Sequence, residues 1–484
     1  MLITHIGGNL QMMFFEQLLG NLSNFLYENI LIVLLVAVGL FFTIRTGFVQ
    51  ISMIVDALRT LLEKNEDKEG VSSFQALMIS TASRVGTGNI AGVATALAAG
   101  GPGAIFWMWL LAIIGSASAF IESTLAQIYK KKDGTEFRGG PAYYIEQGLK
   151  KRWLGIVFAI LLIACFAFGF NALQSYNVRS AFEYYLVGEN AKQIMALIVG
   201  ILLAIATAYV IFGGIHRIGI ISSYLVPIMA VLYILLGLYI TITNINLLPG
   251  IFKTIFREAL DIRAISGGFA GSCVMYGIKR GLFSNEAGMG SAPNASAAAT
   301  VSHPVKQGLV QMVSVYIDTL IICTTTAMML LVYGVHDNLT GIPYVQAAIR
   351  SKVGEVGILF IIVSILFFAF SSIVGNYSYA ESNLRFISNN KKALFAFRIS
   401  CLVAVVLGAL ANLNIVWNLA DVLMGFMALV NVIAIILLHD KAIKALKDYK
   451  KQKKKGIDPV FVAKNVGIMD TECWEESNSP TTKE

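Results

Sequence analysis

Between Ile218 and Phe252 the chain has no charged residue, and similar runs extend from Trp153 to Val178 and from Ile399 to Ala420. A helix needs roughly 20 apolar residues to cross a bilayer, so each run is long enough to span one. Backbone polar groups in lipid must be satisfied within the protein, which leaves helices or closed barrels. No strand alternation is evident, so helices are expected. Composition agrees: 56% of the residues are hydrophobic and 14% charged, against about a quarter charged in soluble domains. The fold class expected is an all-α polytopic membrane protein.

Eleven transmembrane helices are placed, near 24–44, 72–99, 103–129, 153–181, 191–212, 216–243, 264–300, 308–334, 355–380, 392–412 and 414–438. A charged, amphipathic stretch from Arg45 to Gly70 separates the first two. The net charge of +8 gathers in short loops beside apolar blocks, at Lys130–Lys132, Lys150–Arg152 and Lys391–Lys392, and from Lys441 to Lys455. By the positive-inside rule these regions face the cytoplasm, which puts the C-terminus inside and the N-terminus outside a prokaryotic plasma (inner) membrane. No soluble basic module exists to bind nucleic acid. The five scattered cysteines show neither metal-ligand spacing nor a disulfide framework. The first 20 residues lack a signal peptide's basic region and cleavage site, so the first helix is expected to be retained. Residues 456–484 are polar and are expected to be flexible.

Two spans break the apolar pattern. One contains Ser80-Thr81-Ala82-Ser83-Arg84-Val85-Gly86-Thr87-Gly88-Asn89, the other Arg280-Gly281-Leu282-Phe283-Ser284-Asn285-Glu286-Ala287-Gly288-Met289-Gly290. They lie about 200 residues apart, and each opens a run of five helices, as in a five-plus-five inverted repeat; paired interruptions of this kind point to a transporter's binding site. A broken helix exposes N–H groups at a new N-terminus, suited to a carboxylate. The Gly86-Thr87-Gly88-Asn89 turn can present such groups. The other half-helix exposes carbonyls from Ala82 to Val85, which suit Na+ or an ammonium group. Close packing explains isolated small residues, but not Arg84 and Glu286 in the same segments, because intramembrane charge is costly.

Phe368-Ala369-Phe370-Ser371-Ser372 offers further hard oxygens, although serine often only bonds back to its own helix. Glu122 is expected to pair with Arg84 or to cap a broken helix, a structural role like those of Asp318 and Asp421. His216 and His303 sit at expected helix ends, where capping or snorkelling accounts for them. An intramembrane enzyme would want a nucleophile–base pair or a metal triad, and neither motif is present. A channel filter repeats around an axis, whereas these two interruptions differ.

The stretch from Gly100-Gly101-Pro102-Gly103-Ala104-Ile105-Phe106-Trp107-Met108-Trp109 to Gly115 resembles the signature of the alanine/glycine:cation symporter family. Gly139-Gly140-Pro141-Ala142-Tyr143-Tyr144 and Gly281–Gly288 resemble two more of its motifs, and the likeness runs over roughly residues 25–440. The resemblance implies a LeuT-type fold: an extra first helix and linker (1–70), a ten-helix core (71–440) and a basic cytoplasmic tail (441–484). It implies Na+-coupled uptake of a small neutral amino acid, alanine or glycine, with no organic cofactor and no obligatory protein partner. It also implies that the carbonyls of Ala82, Val85 and Phe368 and the hydroxyls of Ser371 and Ser372 hold one Na+. Gly86, Thr87, Gly88 and Asn89 would receive the substrate carboxylate. In the second interrupted helix, Phe283 and Asn285 are favoured as pocket residues, with Gly267–Gly271 an alternative place for the break. Gln174 and Trp417 are expected as pocket walls. Glutamine or serine as substrate, or coupling to H+, remain open alternatives.

Overall fold

The computed structural model describes residues 2–63, 70–134, 136–261, 273–335 and 338–475, with side chains from residue 13 onward except at 215 and 216. His216 and Gly267–Gly271 therefore lie outside what is described. Among the described residues, nine helices are long and apolar enough to cross a membrane: Met13–Thr46, Gly103–Ile128, Arg152–Tyr185, Glu189–Ile211, Arg217–Thr243, Pro304–Tyr333, Glu355–Ile387, Lys391–Leu410 and Leu413–Lys454. Their outward faces carry exposed aliphatics such as Leu202, Ile205, Leu235 and Ile242, which suits lipid and not water. The first helix is longer than expected, starting at Leu2 and passing through a π-helical turn at Tyr27–Leu31.

Besides shorter helices such as Ile54–Leu62, Pro141–Leu149, Leu248–Ala259 and Gly341–Val353, there are two interrupted helical segments. The first runs as Ser73–Arg84 and Ala91–Gly100, the second as Cys273–Asn285 and Pro293–Ala298. Ser73–Arg84 packs on Glu355–Ile387 and Gly214–Thr243, and the second interrupted segment packs on Gly103–Ile128. The chain entering the first meets the chain leaving the second, where Thr300 N donates to Val71 O at 2.9 Å. Both breaks are thus held inside the bundle.

Two expectations fail here. Lys131–Asp133 and Glu136–Arg138 form a short antiparallel hairpin where no strand was expected; three residues a side are too few to show an alternation. Residues 456–475 are not a loose tail. The last helix continues to Lys454, and the chain then straps back over the bundle end: Phe461 N donates to Ser302 O (2.9 Å) and Trp474 Nε1 to Gln127 O (2.7 Å). Phe461, Ile468 and Trp474 are buried. The strap covers Lys130, whose ammonium donates to Ala299 O at 3.0 Å and sits over the rings of Phe137 and Trp474. Burial pushes Lys130 down to about 7. His303 caps the helix Pro304–Val315 by accepting from Val305 N at 3.2 Å, as expected for a helix end.

Candidate functional site

The first interrupted helix starts at Ser72, where Gln75 N donates to Ser72 Oγ and Ser72 N donates to Gln75 Oε1 (3.0 and 2.9 Å), a reciprocal cap. It stops at Val85, whose φ of −77° and ψ of 82° leave the helical region. In a continuous helix Gly86 N would donate to Ala82 O. Here it turns to Arg84 O (2.9 Å) and Asn89 Oδ1 (3.1 Å), and the Ala82 carbonyl accepts Ser372 Oγ instead, at 3.0 Å. A single 3-10 turn, Thr87–Asn89, leads into Ala91–Gly100. Neither glycine of this turn has room for a side chain. A Cβ on Gly86 would lie 2.2 Å from Ser372 Oγ, and one on Gly88 would lie 2.5 Å from Phe283 Cε1.

Around the turn, Thr87 N donates to Gln174 Oε1 (3.1 Å) and Asn177 Nδ2 donates to Thr87 Oγ1 (2.7 Å). The Phe283 ring lies between Phe170 and Trp417, with centroids 4.7 and 5.1 Å away. Thr87, Gly88, Gln174, Phe283 and Trp417 therefore converge. Asn285 and the Nδ2 of Asn89 face elsewhere. Asn89 Nδ2 donates to Asp318 Oδ1 (2.6 Å) and Ser284 Oγ (3.0 Å). Asn285 accepts from Ala287 N (3.0 Å) and donates to Thr319 Oγ1 (3.2 Å), bracing the second break.

Phe368, Ser371 and Ser372 lie on Glu355–Ile387 and are buried with Ala82 and Val85. The backbones touch in this seam: a Cβ on Gly375 would lie 2.8 Å from Ser83 N. Ser371 Oγ bonds back to Phe368 O at 2.9 Å, while Ser372 reaches across to the broken helix. Carbonyls and hydroxyls at such a seam are the hard, uncharged oxygens that suit an alkali cation.

At the second break the backbone takes positive φ at Glu286 (55°), Gly288 (81°) and Gly290 (89°) before the helix resumes at Pro293. Of the two roles expected for Glu122, capping is the one found. Its carboxylate accepts from Gly288 N (3.2 Å), Gly290 N (3.1 Å) and Asn431 Nδ2 (2.8 Å). Arg84 instead donates to Gln311 Oε1 at 3.4 Å. Glu286 accepts from Ser83 (3.1 Å) and Ser291 (2.5 Å), so it ties the second break to the first.

Sequence reasoning singled out Asp318 and Asp421 as intramembrane carboxylates but not their partners. Asp318 accepts from Asn89, from Ser284 Oγ (2.6 Å) and from Thr319 Oγ1 (2.9 Å), joining both broken helices to Pro304–Tyr333. Its one sequence signal was its place as a carboxylate inside a span; Ser284 stood out only as part of the second interruption, and Asn177 carried none. Asp421 meets Arg280 at 2.6 Å and Lys279 at 3.1 Å, and the Arg280 guanidinium lies 4.1 Å from the Trp417 ring centroid.

The sequence profile of the Sodium:alanine symporter family matches residues 12–463. The amino-acid carrier protein AlsT of Bacillus subtilis (strain 168) is 50% identical over 464 residues, 96% of this chain and 98% of the relative. The probable sodium/glutamine symporter GlnT of the same strain is 47% identical over 473 residues, 96% of this chain and 97% of the relative. A crystal structure of a manganese transporter mutant from Eremococcus coleocola is similar in fold, with a TM-score of 0.51 at 13% identity, covering 84% of this chain and 85% of that one.

Proposed function

Because the chain belongs to the sodium:alanine symporter family, we propose that it carries alanine or glycine into the cell together with Na+, by alternating access around its two interrupted helices. It is a multi-pass membrane transporter and not an enzyme. In our reading both interrupted helices cross the bilayer, giving eleven spans: one extra helix and linker (1–70), then a five-plus-five inverted-repeat core (71–440), then a basic cytoplasmic end (441–484). The N-terminus lies outside, consistent with the lysines after residue 438.

The observation that carries the reading is the Ser372–Ala82 contact. A carbonyl released by the break and a hydroxyl from a separate helix meet at 3.0 Å, where a cation would draw both, with Val85, Phe368 and Ser371, into its shell. Binding there would clamp the inner half of the first broken helix and hold open the Gly86–Asn89 turn. The substrate carboxylate would then take the amide that Gln174 now occupies at Thr87, with Gly88 allowing close approach. Phe283 and Trp417 would close over a small side chain. The substrate is favoured only with the ion bound, which is a coupling free energy between two sites.

A second reading, glutamine as substrate, is favoured by Arg280 and Asp421 beside Trp417. Arg280 Nε and Nη1 and Asp421 Oδ1 have no hydrogen-bond partner among the described residues. Donor and acceptor together match a carboxamide, which offers one of each.

The test is uptake of labelled L-alanine into proteoliposomes of purified protein, with an inward Na+ gradient or with K+ replacing it. Uptake that requires Na+ and is competed by glycine supports the reading; Na+-independent alanine uptake refutes the coupling.

A further inference from the structure

At the end of the bundle that bears the lysine-rich stretch, a cavity of about 450 Å³ opens between the end of the first helix and the last helix. Four basic side chains line it, Arg45, Lys441, Lys444 and Lys447, against the single carboxylate of Asp440. Arg45 already holds Asp440 at 2.7 Å. The three lysines recur at every third position of a helix that is continuous through Lys454, which keeps them near one face.

The position of this cavity relative to the bilayer follows from its neighbours. Ile44 is 68% exposed and Leu437 is 64% exposed. Aliphatic side chains so open on a membrane-spanning helix face lipid. Each stands just before the basic residues begin, so the edge of the hydrocarbon falls at residues 44–45 on one helix and 437–441 on the other. The nearby helix Ile54–Leu62 exposes Val55, Leu58 and Leu62 while burying Ala57 and Thr60, as a helix lying flat in the interface does. The same cavity is also lined by Leu437, Leu438 and Ile443.

From this geometry we infer that the cavity binds the phosphate-bearing headgroup of an anionic phospholipid, with the acyl chains lying along Ile44 and Leu437. A free phosphate shares the headgroup's charge but has nothing to bury against Leu437, Leu438 and Ile443. A zwitterionic lipid shares the chains but leaves the basic side chains uncompensated. An anionic lipid satisfies both halves, and it bridges the first helix to the last.

The experiment measures lipid binding to the full-length purified protein in detergent, by native mass spectrometry and by thermal shift on titration. The probes are phosphatidylglycerol, phosphatidylcholine and inorganic phosphate. Each basic side chain near an anionic headgroup contributes about fivefold to binding, so K441Q/K444Q/K447Q should weaken phosphatidylglycerol roughly a hundredfold. K451Q/K454Q/K455Q, equally basic residues outside the cavity, should change it little, and K444Q alone should cost about fivefold. Equal losses in both triple variants would reduce the effect to general surface charge and overturn the site. Phosphatidylcholine binding as tightly, or inorganic phosphate displacing the lipid at millimolar concentration, would also overturn it.

Discussion

The hydroxyl of Ser372 donates to the carbonyl of Ala82 across 3.0 Å, and Gly86 has no side chain because Ser372 fills the space a Cβ would take. One contact therefore links the interruption of the first broken helix to the surface of Glu355–Ile387. A rigid-body separation of these two elements would change the proposed cation seam and the proposed substrate turn together.

The turn at Gly88 tolerates no side chain, since its Cβ would meet Phe283 at 2.5 Å. Gly88→Leu should abolish alanine uptake while leaving expression and membrane insertion intact, because Gly88 lies in the break between the two α-helical halves. Normal uptake by this variant would move the carboxylate site elsewhere.

Glu122 satisfies two amides at the second break and the Asn431 amide. Glu122→Gln keeps the shape but turns one acceptor into a donor facing donors. Leaving a buried amide unpaired costs about 1–3 kcal/mol, so the melting temperature in detergent should fall by several degrees. An unchanged melting temperature would show that the cap is dispensable.

Lys130 gives a pH dependence with a defined sign. Folded, it loses its proton near 7; unfolded, a lysine holds it to about 10.4. Between those values the unfolded chain binds more protons, so this residue's contribution to stability rises with pH. The protein should melt higher at pH 9 than at pH 6.5 on this account, and Lys130→Met should shrink that difference. The same difference in both proteins would assign the effect to other groups.

Arg280 and Asp421 should decide between substrates. If their unpartnered atoms receive a carboxamide, Asp421→Asn and Arg280→Gln should each reduce glutamine uptake at least tenfold more than alanine uptake, since sites built to bond a polar group discriminate strongly by it. Parallel loss for both substrates would mean that the cluster only braces the fold.

Both breaks were legible in the sequence because they depend on local chemistry. Gly86-Thr87-Gly88-Asn89 has no helix-forming residue to carry the ladder across, and Gly288 and Gly290 take the positive φ that glycine tolerates. A helix ends at Asn285, while Gly267–Gly271 lie outside the described residues. What was not legible depends on tertiary encounters. Asp318 matters because Asn89, Ser284 and Thr319 all reach it, from three separate places in the chain. The Gly, Pro and charged residues interspersed through 456–475 concealed that Phe461, Ile468 and Trp474 find a buried seat. Asn89 and Asn285 look like ligands by residue type, yet they spend their side chains on the network between the breaks.

The central claim is that the seam joining Ala82 to Ser372 holds the Na+ that makes the substrate site competent. The direct measurement is the Na+ concentration for half-maximal alanine uptake in proteoliposomes, for the wild type and for Ser372→Ala. Loss of one oxygen ligand should raise that concentration about tenfold or more, by analogy with one hydrogen bond to a charged group at roughly 1.5–3 kcal/mol, with uptake recovering at saturating Na+. An unchanged Na+ dependence in the folded variant would remove Ser372 from the site and contradict the account.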